Sequence, residues 1–327
     1  MGNASNPALI LALDYGGTKH TAALLAAGQT TWLAHGRVFS PPGADAAYDQ
    51  AAMLKLARGL LVQQPGRLAA IGVSFGGPVD ATRGLVRLSH HVPGWEDTPL
   101  AARLQAELGA PVAVDNDANV AALGEYTFGA GRGCASLLYL TISTGIGGGW
   151  VLGGRIWNGA DGMAGEIGHV VVRPDGAACV CGKRGCLEAE ACGWGIAAKA
   201  RARLMAGEQL TIGEGARLLA LTGGRPEAVT AQMTAQAAAA DDALAQAVLD
   251  DAAEALGTGL GGALNLMNPE RVVLGGGVTK SGARWWQIVR ATARRHALPQ
   301  IRVEIVPAAL GDDAPLWGAV ALAQDLL

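Results

Sequence analysis

The chain has 327 residues, 50% hydrophobic and 16% charged, with a formal net charge of −3. That composition excludes a disordered chain, and the length suits one large or two medium domains with an ample core. The charge, with no basic cluster, argues against a nucleic-acid partner, because neutralising phosphates takes clustered Lys and Arg.

The opening residues M-G-N-A-S-N-P carry neither a positive stretch nor an apolar one, so no signal peptide is expected. Asn6 stands where a myristoylation signal needs Ser or Thr. Asn3-Ala4-Ser5 is a glycosylation sequon that an unsecreted chain leaves idle. Leu9–Leu13 and Thr21–Leu25 are apolar runs on either side of Asp14-Tyr15-Gly16-Gly17-Thr18-Lys19, which predicts a hairpin bent around a glycine turn. Thr30–Val38 predicts a third strand, Ala44–Gln64 a helix and Leu68–Ser74 a buried strand that runs into Phe75-Gly76-Gly77-Pro78-Val79-Asp80. A helix follows over Pro99–Leu108. Pro111–Val114 is then a strand leading into Asp115-Asn116-Asp117-Ala118-Asn119 and a further helix.

The opening pattern then returns: strand Ser136–Ile142, glycine turn Ser143–Gly149, strand Trp150–Leu152. This suggests an internal duplication and two related domains. Gly133–Gly154 is uncharged and long enough for a bilayer, but its Gly, Ser and Thr read as two strands around a turn, so no membrane span is expected. Trp194–Leu266 is Ala-rich and helical. Arg271–Leu274 is a strand ending in Gly275-Gly276-Gly277, Gln300–Val306 is a last strand, and Ala314–Leu327 is a helix. The class is α/β.

Five stretches carry candidate chemistry. In Asp14–Lys19, glycines let backbone N–H groups approach an anion, Thr18 and Lys19 add a hydroxyl and a charge, and Asp14 could hold Mg²⁺ through water. An ordinary hairpin turn fits those residues equally well. Ser143–Gly149 lacks the G-K-[ST] of a Walker loop and is a plain turn if taken alone. Paired with the first loop, it could clamp a polyphosphate. Asp117, at a strand-to-helix switch, is a candidate base for a sugar hydroxyl, although Asp115 or Asp117 could merely cap the helix. Gly275–Gly277 could floor a nucleoside or simply turn the chain.

Glu166–Glu188 is the most specific stretch. His169, Cys179, Cys181 and Cys186 make a complete tetrahedral zinc set with no position left for a reacting water. Unligated thiols this dense on a surface would invite oxidation. Glu166 and Glu188 flank the four ligands. Reduced cysteines at metal spacing suit a cytoplasmic chain. Cys134 and Cys192 are assigned no role.

Taken together, G-E-I-G-H…C-V-C-G-K-R-G-C-L-E, V-D-N-D-A-N, D-Y-G-G-T-K and the terminal W-G-A-V-A-L-A resemble the ROK family of bacterial sugar kinases and sugar-responsive repressors, particularly its glucokinase-like members. The resemblance runs from Leu9 to Ala323. It implies an actin-like (ribonuclease H-like) two-domain fold with a cleft between domains. Residues 1–118, joined by helix 314–327, would form the small domain, and 119–313 the large one with the zinc loop and dimer contacts. It further implies that Asp117 deprotonates a sugar 6-hydroxyl. Gly77, His91, Asn116, Glu166, His169 and Glu188 would line the sugar. Asp14, Gly16, Gly17, Thr18, Lys19, Thr144 and Gly145 would bracket the phosphates of ATP with Mg²⁺, and Gly276 and Gly277 would lie near the nucleoside. His169 would ligate structural Zn²⁺ through one nitrogen and donate to the sugar through the other.

The expected activity is ATP-dependent phosphorylation of a hexose, first of all glucose, by a cytoplasmic homodimer or homotetramer. N-acetylmannosamine, N-acetylglucosamine and fructose are alternative substrates, with mannose and allose beyond them. A sugar-sensing regulator would need a DNA-binding domain, for which a first strand near Ala8 leaves no room. Two departures, His91 where the family favours Asn and the run Phe75-Gly76-Gly77 before Pro78, bear on which sugar fits rather than on the reaction.

Overall fold

In the computed structural model, which describes residues 6–206 and 214–327, β1 (Ala8–Tyr15) is apolar at nearly every position because both faces of its sheet are covered. The sequon Asn3-Ala4-Ser5 and positions 207–213 of the predicted helical stretch lie outside the described residues. β1 pairs antiparallel with β2 (Lys19–Ala26), which pairs antiparallel with β3 (Ala34–Phe39). After α1 (Ala46–Val62), β4 (Arg67–Phe75) lies parallel to β1. The two-residue strands β5 (Val79–Asp80) and β6 (Leu85–Val86) pair with each other. Beyond α2 (Leu100–Leu108), β7 (Val112–Asn116) lies parallel to β4 and leads straight into α3 (Asp117–Thr127). The sheet order is β3-β2-β1-β4-β7.

The second sheet repeats that plan in the order β10-β9-β8-β11-β12. It holds β8 (Ser136–Ile142), β9 (Ile146–Leu152), β10 (Arg155–Ile156), β11 (Arg271–Gly275) and β12 (Glu304–Pro307). Its helices are α4 (Leu187–Ala191), α5 (Gly193–Ala206), α6 (Ala216–Leu221), α7 (Ala231–Ala239), α8 (Ala243–Met267) and α9 (Ala283–His296), and α10 (Ala314–Gln324) follows β12. The repeated strand, turn, strand unit expected from the sequence is therefore present in both sheets. The chain divides into two compact units: one holds Met1–Tyr139, Gly149–Gly165 and Ala308–Leu327, the other Leu140–Gly148 and Glu166–Pro307. Among the described residues no helix is long and apolar enough to cross a membrane.

In the first unit, alternate β1 residues go to opposite cores. Leu9, Leu11, Leu13 and Tyr15 join Met53, Ala57, Leu100 and Leu104 from α1 and α2. Ile10 and Ala12 join Val120 of α3 and Leu316, Ala319 and Val320 of α10. Helix α10 comes so close that a Cβ on Gly72 of β4 would collide with the Ala319 carbonyl, and one on Gly318 with that of Val120.

Three element predictions need correction. The strand expected over Thr30–Val38 begins only at Ala34, because Trp32 turns aside to stack on Trp317, ring centroids 4.2 Å apart. The turn expected over Ser143–Gly149 ends at Gly145. Gly147–Gly149 belong to β9, and a Cβ on Gly149 would stand 2.7 Å from the Ala118 carbonyl of α3. The last strand spans Glu304–Pro307 rather than Gln300–Val306, matched residue for residue to Arg271–Leu274.

Candidate active site

The carboxyl ends of three parallel strands bring the polar residues of the first unit together, the usual place for a ligand in an open α/β sheet. Strand register puts Asp14, Ser74 and Asp115 in one row, and Tyr15, Phe75 and Asn116 in the next. The Ser74 hydroxyl donates to Asp14 Oδ1 at 2.9 Å. Burial pushes the Asp14 carboxyl up to about 6. The Ser74 bond pulls it back, the charge of Asp117 pushes it further up, and Lys19 and Arg37 lower it. Two carboxylates thus stand near each other at this edge, an arrangement that a divalent cation relieves.

Helix α3 is capped by Asn116, not by Asp115 or Asp117 as one sequence reading allowed. Asn116 Oδ1 accepts from the N–H groups of Ala118 at 3.0 Å and Asn119 at 3.4 Å. Its Nδ2 donates to the Gly77 carbonyl at 3.0 Å, joining two predicted sugar residues. Asp117 is the first residue of the helix, and its Oδ1 accepts from Ala118 N at 2.8 Å. Anionic carboxylates are favoured at that position by the helix dipole. A Cβ on Gly76 would lie 3.3 Å from the Tyr15 carbonyl, 3.8 Å from Asp117 Oδ2 and 4.0 Å from Gly16 Cα. Base candidate and predicted phosphate loop are therefore neighbours, with a glycine making the room. The predicted sugar residue His91 lies over that loop: a Cβ on Gly17 would meet its ring at 3.3 Å.

Sequence reasoning missed three supports here. Ser74 steadies Asp14. Asp115 is buried, which raises its pKa, and accepts from Asn116 N, Asn119 Nδ2 and Asn158 Nδ2 at 2.7, 3.1 and 3.1 Å. Asn158 also accepts from Asn119 at 3.0 Å. A serine closing an apolar strand was a signal for Ser74. Nothing in the chain marks Asn158, 43 residues from its partner.

In the second unit, His169 Nδ1 and the sulfurs of Cys179, Cys181 and Cys186 all lie within 4.8 Å of one another. His169 Nδ1 is 3.7 Å from Cys179 Sγ, and Cys181 Sγ is 3.6 Å from Cys186 Sγ. Bonds of about 2.3 Å to sulfur and about 2.0–2.1 Å to nitrogen put the corners of a zinc tetrahedron roughly 3.5–3.8 Å apart, so the donor set fits that ion. The loop is pre-shaped by the pairings Cys179 N to Lys183 O at 2.8 Å and Gly185 N to Ala177 O at 2.7 Å. Burial pushes the Cys186 thiol up to about 12; a bound cation removes that cost by holding the thiolate. With Nδ1 turned to the sulfurs, His169 Nε2 lies 3.9 Å from the exposed carboxylate of Glu166.

Glu188 Oε2 accepts from Ile146 N at 2.9 Å, and a Cβ on Gly145 would sit 2.6 Å from that oxygen. A predicted sugar residue and a predicted phosphate-loop residue thus touch. Thr144 and Gly145 form the β8–β9 turn, and the Thr144 carbonyl accepts from Trp194 N at 3.4 Å. Gly276 packs against Ile142 with φ of 88°, and Gly277 opens the short helical turn after β11.

The chain is 41% identical over 253 residues to a glucokinase of Halalkalibacterium halodurans, covering 76% of this chain and 74% of that one. Its structure is similar to a ROK hexokinase from Thermus thermophilus, with TM-score 0.81, 34% identity and coverage of 96% and 97% of the two chains. It is also similar to a ROK family glucokinase from Streptomyces griseus in complex with glucose and AMPPNP, with TM-score 0.79, 32% identity and coverage of 97% and 99%. The fold is the actin-like α/β fold of these sugar kinases. A model of the ROK family matches residues 10–326, and with those relatives it makes this chain a member of the ROK family.

Proposed function

We propose that the chain is an ATP-dependent glucokinase that phosphorylates the 6-hydroxyl of glucose. The observation that carries this reading is the neighbourhood of Asp117, Gly16 and Gly76 beside the buried Asp14. That closeness supports reading the carboxylate as a base that works beside a phosphate-holding loop. The kinship to glucokinases supplies the sugar.

Asp117 takes the proton of the 6-hydroxyl as that oxygen bonds to the γ-phosphorus of ATP and the bond from phosphorus to the ADP oxygen breaks. Gly16, Gly17 and Thr18 offer backbone N–H groups and a hydroxyl to the phosphates, and Lys19 offers charge. Asp14 is the residue to hold Mg²⁺ through water, and that ion would neutralise charge on the phosphates. Asn116 and Gly77 orient the sugar in the first unit. Glu166, His169 and Glu188 are assigned to sugar hydroxyls, Thr144 and Gly145 to phosphates, and Gly276 and Gly277 to the nucleoside. His169, Cys179, Cys181 and Cys186 would hold a structural zinc, which would fix the tautomer of His169 and leave its Nε2–H as a donor. The work of the protein is positioning, since little covalent chemistry is asked of it.

Sugar-dependent ADP release tests the reading. Glucose is expected to outpace N-acetylglucosamine, N-acetylmannosamine, fructose, mannose and allose in kcat/KM. Preference for an N-acylhexosamine would overturn the substrate, and no sugar-dependent release would overturn the activity. Asp117→Ala is expected to lower kcat by about 10²–10⁴-fold with glucose binding largely kept. Near wild-type turnover would remove Asp117 from its role.

A further inference from the structure

Behind the phosphate loop lies a group of polar side chains that the proposed reaction does not use. His20 and Asp49 are each 1% exposed. His20 Nε2 is 2.8 Å from Asp49 Oδ1 and 2.9 Å from Ser40 Oγ, and the Ser40 hydroxyl donates to Asp49 Oδ1 at 2.7 Å. This leaves two buried polar atoms with no partner, His20 Nδ1 and Tyr15 Oη. An orphaned buried donor or acceptor is costly, because it has given up water and gained no partner in exchange. Both residues line a small pocket, partly open to solvent, with room for about one water, together with Gly17, Asp49, Ser89 and Trp95.

The surroundings tie this cavity to both ligand loops of the first unit. Ser40 N donates to the Thr18 carbonyl of the phosphate loop at 3.0 Å. Ala46 N, at the start of the helix that carries Asp49, donates to the Pro93 carbonyl at 2.9 Å. Pro93 belongs to the 89–95 segment, whose His91 lies over Gly17. Ser89 Oγ accepts from His91 N at 3.3 Å and Val92 N at 3.2 Å, which fixes that segment's bend. The imidazole bonds Ser40, whose backbone meets the phosphate loop, and Asp49 of helix α1, whose first turn meets the 89–95 segment, so it braces the two attachments against each other.

The geometry points to a single ordered water in this cavity, bonded to Tyr15 Oη and His20 Nδ1, and to His20 as a positioning residue that sets the phosphate loop for ATP. With Nε2–H given to Asp49 and Ser40, Nδ1 is an acceptor and the water donates to it; Tyr15 Oη donates to the water. Each orphan is thereby satisfied. The inference rests on the kinase reading for its effect on ATP, but the water stands apart from it.

Two measurements test it. A crystal structure at a resolution that shows waters is expected to place one within hydrogen-bond distance of both Tyr15 Oη and His20 Nδ1. An empty or apolar-filled cavity would overturn the water. In the kinetic arm, His20→Leu is expected to raise KM for ATP about tenfold while kcat changes less than about twofold, the pattern of a loop displaced in ground and transition states alike. Tyr15→Phe, a milder change that keeps the ring, should move KM the same way by about threefold and serves if His20→Leu does not fold. Unchanged KM for ATP in both folded variants, or a loss confined to kcat, would overturn the positioning role. If the unaltered protein shows no sugar-dependent ADP release, the kinase reading fails instead, and ATP-analogue affinity by calorimetry replaces KM as the readout for both variants.

Discussion

A carboxyl that titrates near neutrality is a cost before it is a tool. Asp14 ionises at about 6 against 3.8 for an exposed aspartate, chiefly through burial. Between those values the folded chain holds a proton that the unfolded chain has released, so stability falls as pH rises through that window. Above it the loss stays constant at about 3 kcal/mol, since each tenfold change in proton affinity is worth about 1.4 kcal/mol. Asp14→Asn is expected to unfold at a higher temperature than the parent at pH 7.5 and at the same temperature near pH 4, while kcat/KM for Mg-ATP falls. A gain independent of pH would show that burial of the charge is not the cause. Mg²⁺ should stabilise the parent at pH 7.5 and leave the Asn variant unmoved. At this scale the sequence exposed Asp14, Asn116 and Asp117, because each sits where an apolar run stops. It hid the helix-capping role of Asn116, since Asp115 and Asp117 are equally good cap chemistry. It hid Asn158, and the pairing of Ser74 with Asp14, because the partners are 43 and 60 residues away, joined only by strand pairing and folding.

Most elements were legible for a plain reason: their apolar periods are long and their ends are marked by Gly, Pro or Asp. What periodicity cannot carry is the distance between two backbones. Gly72 lies within β4 and Gly318 within α10, and neither needs an unusual φ. Both are glycine because strand, helix α3 and helix α10 touch main chain to main chain. Overpacking costs about 1–3 kcal/mol where side chains can give way; a carbonyl cannot. Gly72→Ala is therefore expected to lose about 3 kcal/mol or more, read as a fall in the urea midpoint with an unchanged slope. An alanine at exposed Gly59 of α1 meets nothing within 4 Å and is expected to add about 0.5–1 kcal/mol of stability, read as a higher midpoint. Equal effects at the two sites would refute the close-approach account.

Taken as a whole, the molecule keeps its four candidate metal donors in one unit and its base candidate in the other. Beside the donors, Glu190 is buried and accepts from Ala177 N at 2.7 Å and from Arg173 at 3.1 Å. Lys199 also binds it, at 2.6 Å, and Arg173 and Lys199 both reach Asp251 of α8. This charge network anchors the cysteine loop to the helices whether or not metal is bound. Stripping zinc with a chelator is therefore expected to loosen the loop without unfolding the unit. Even about 3 kcal/mol of the roughly 10–16 kcal/mol that zinc gives small fingers would lower Tm by about 6–12 °C. Metal content by mass spectrometry alongside calorimetry checks this, and one zinc per chain is the expected stoichiometry. An unchanged Tm in metal-free protein would show that the ion contributes nothing to folding.

The docking of α10 onto β1 and β4 also sets a timetable. During synthesis the first strand leaves the ribosome some three hundred residues ahead of the helix that covers it. At about 5–20 residues per second that gap lasts roughly 15–60 s. Through that interval Ile10, Ala12, Ala23, Leu25 and Ala70 lack the cover that Leu316, Ala319, Val320 and Ala323 later give them. Nascent chains stalled before Ala314 should accordingly recruit chaperones at this face, and release them once the final turns emerge.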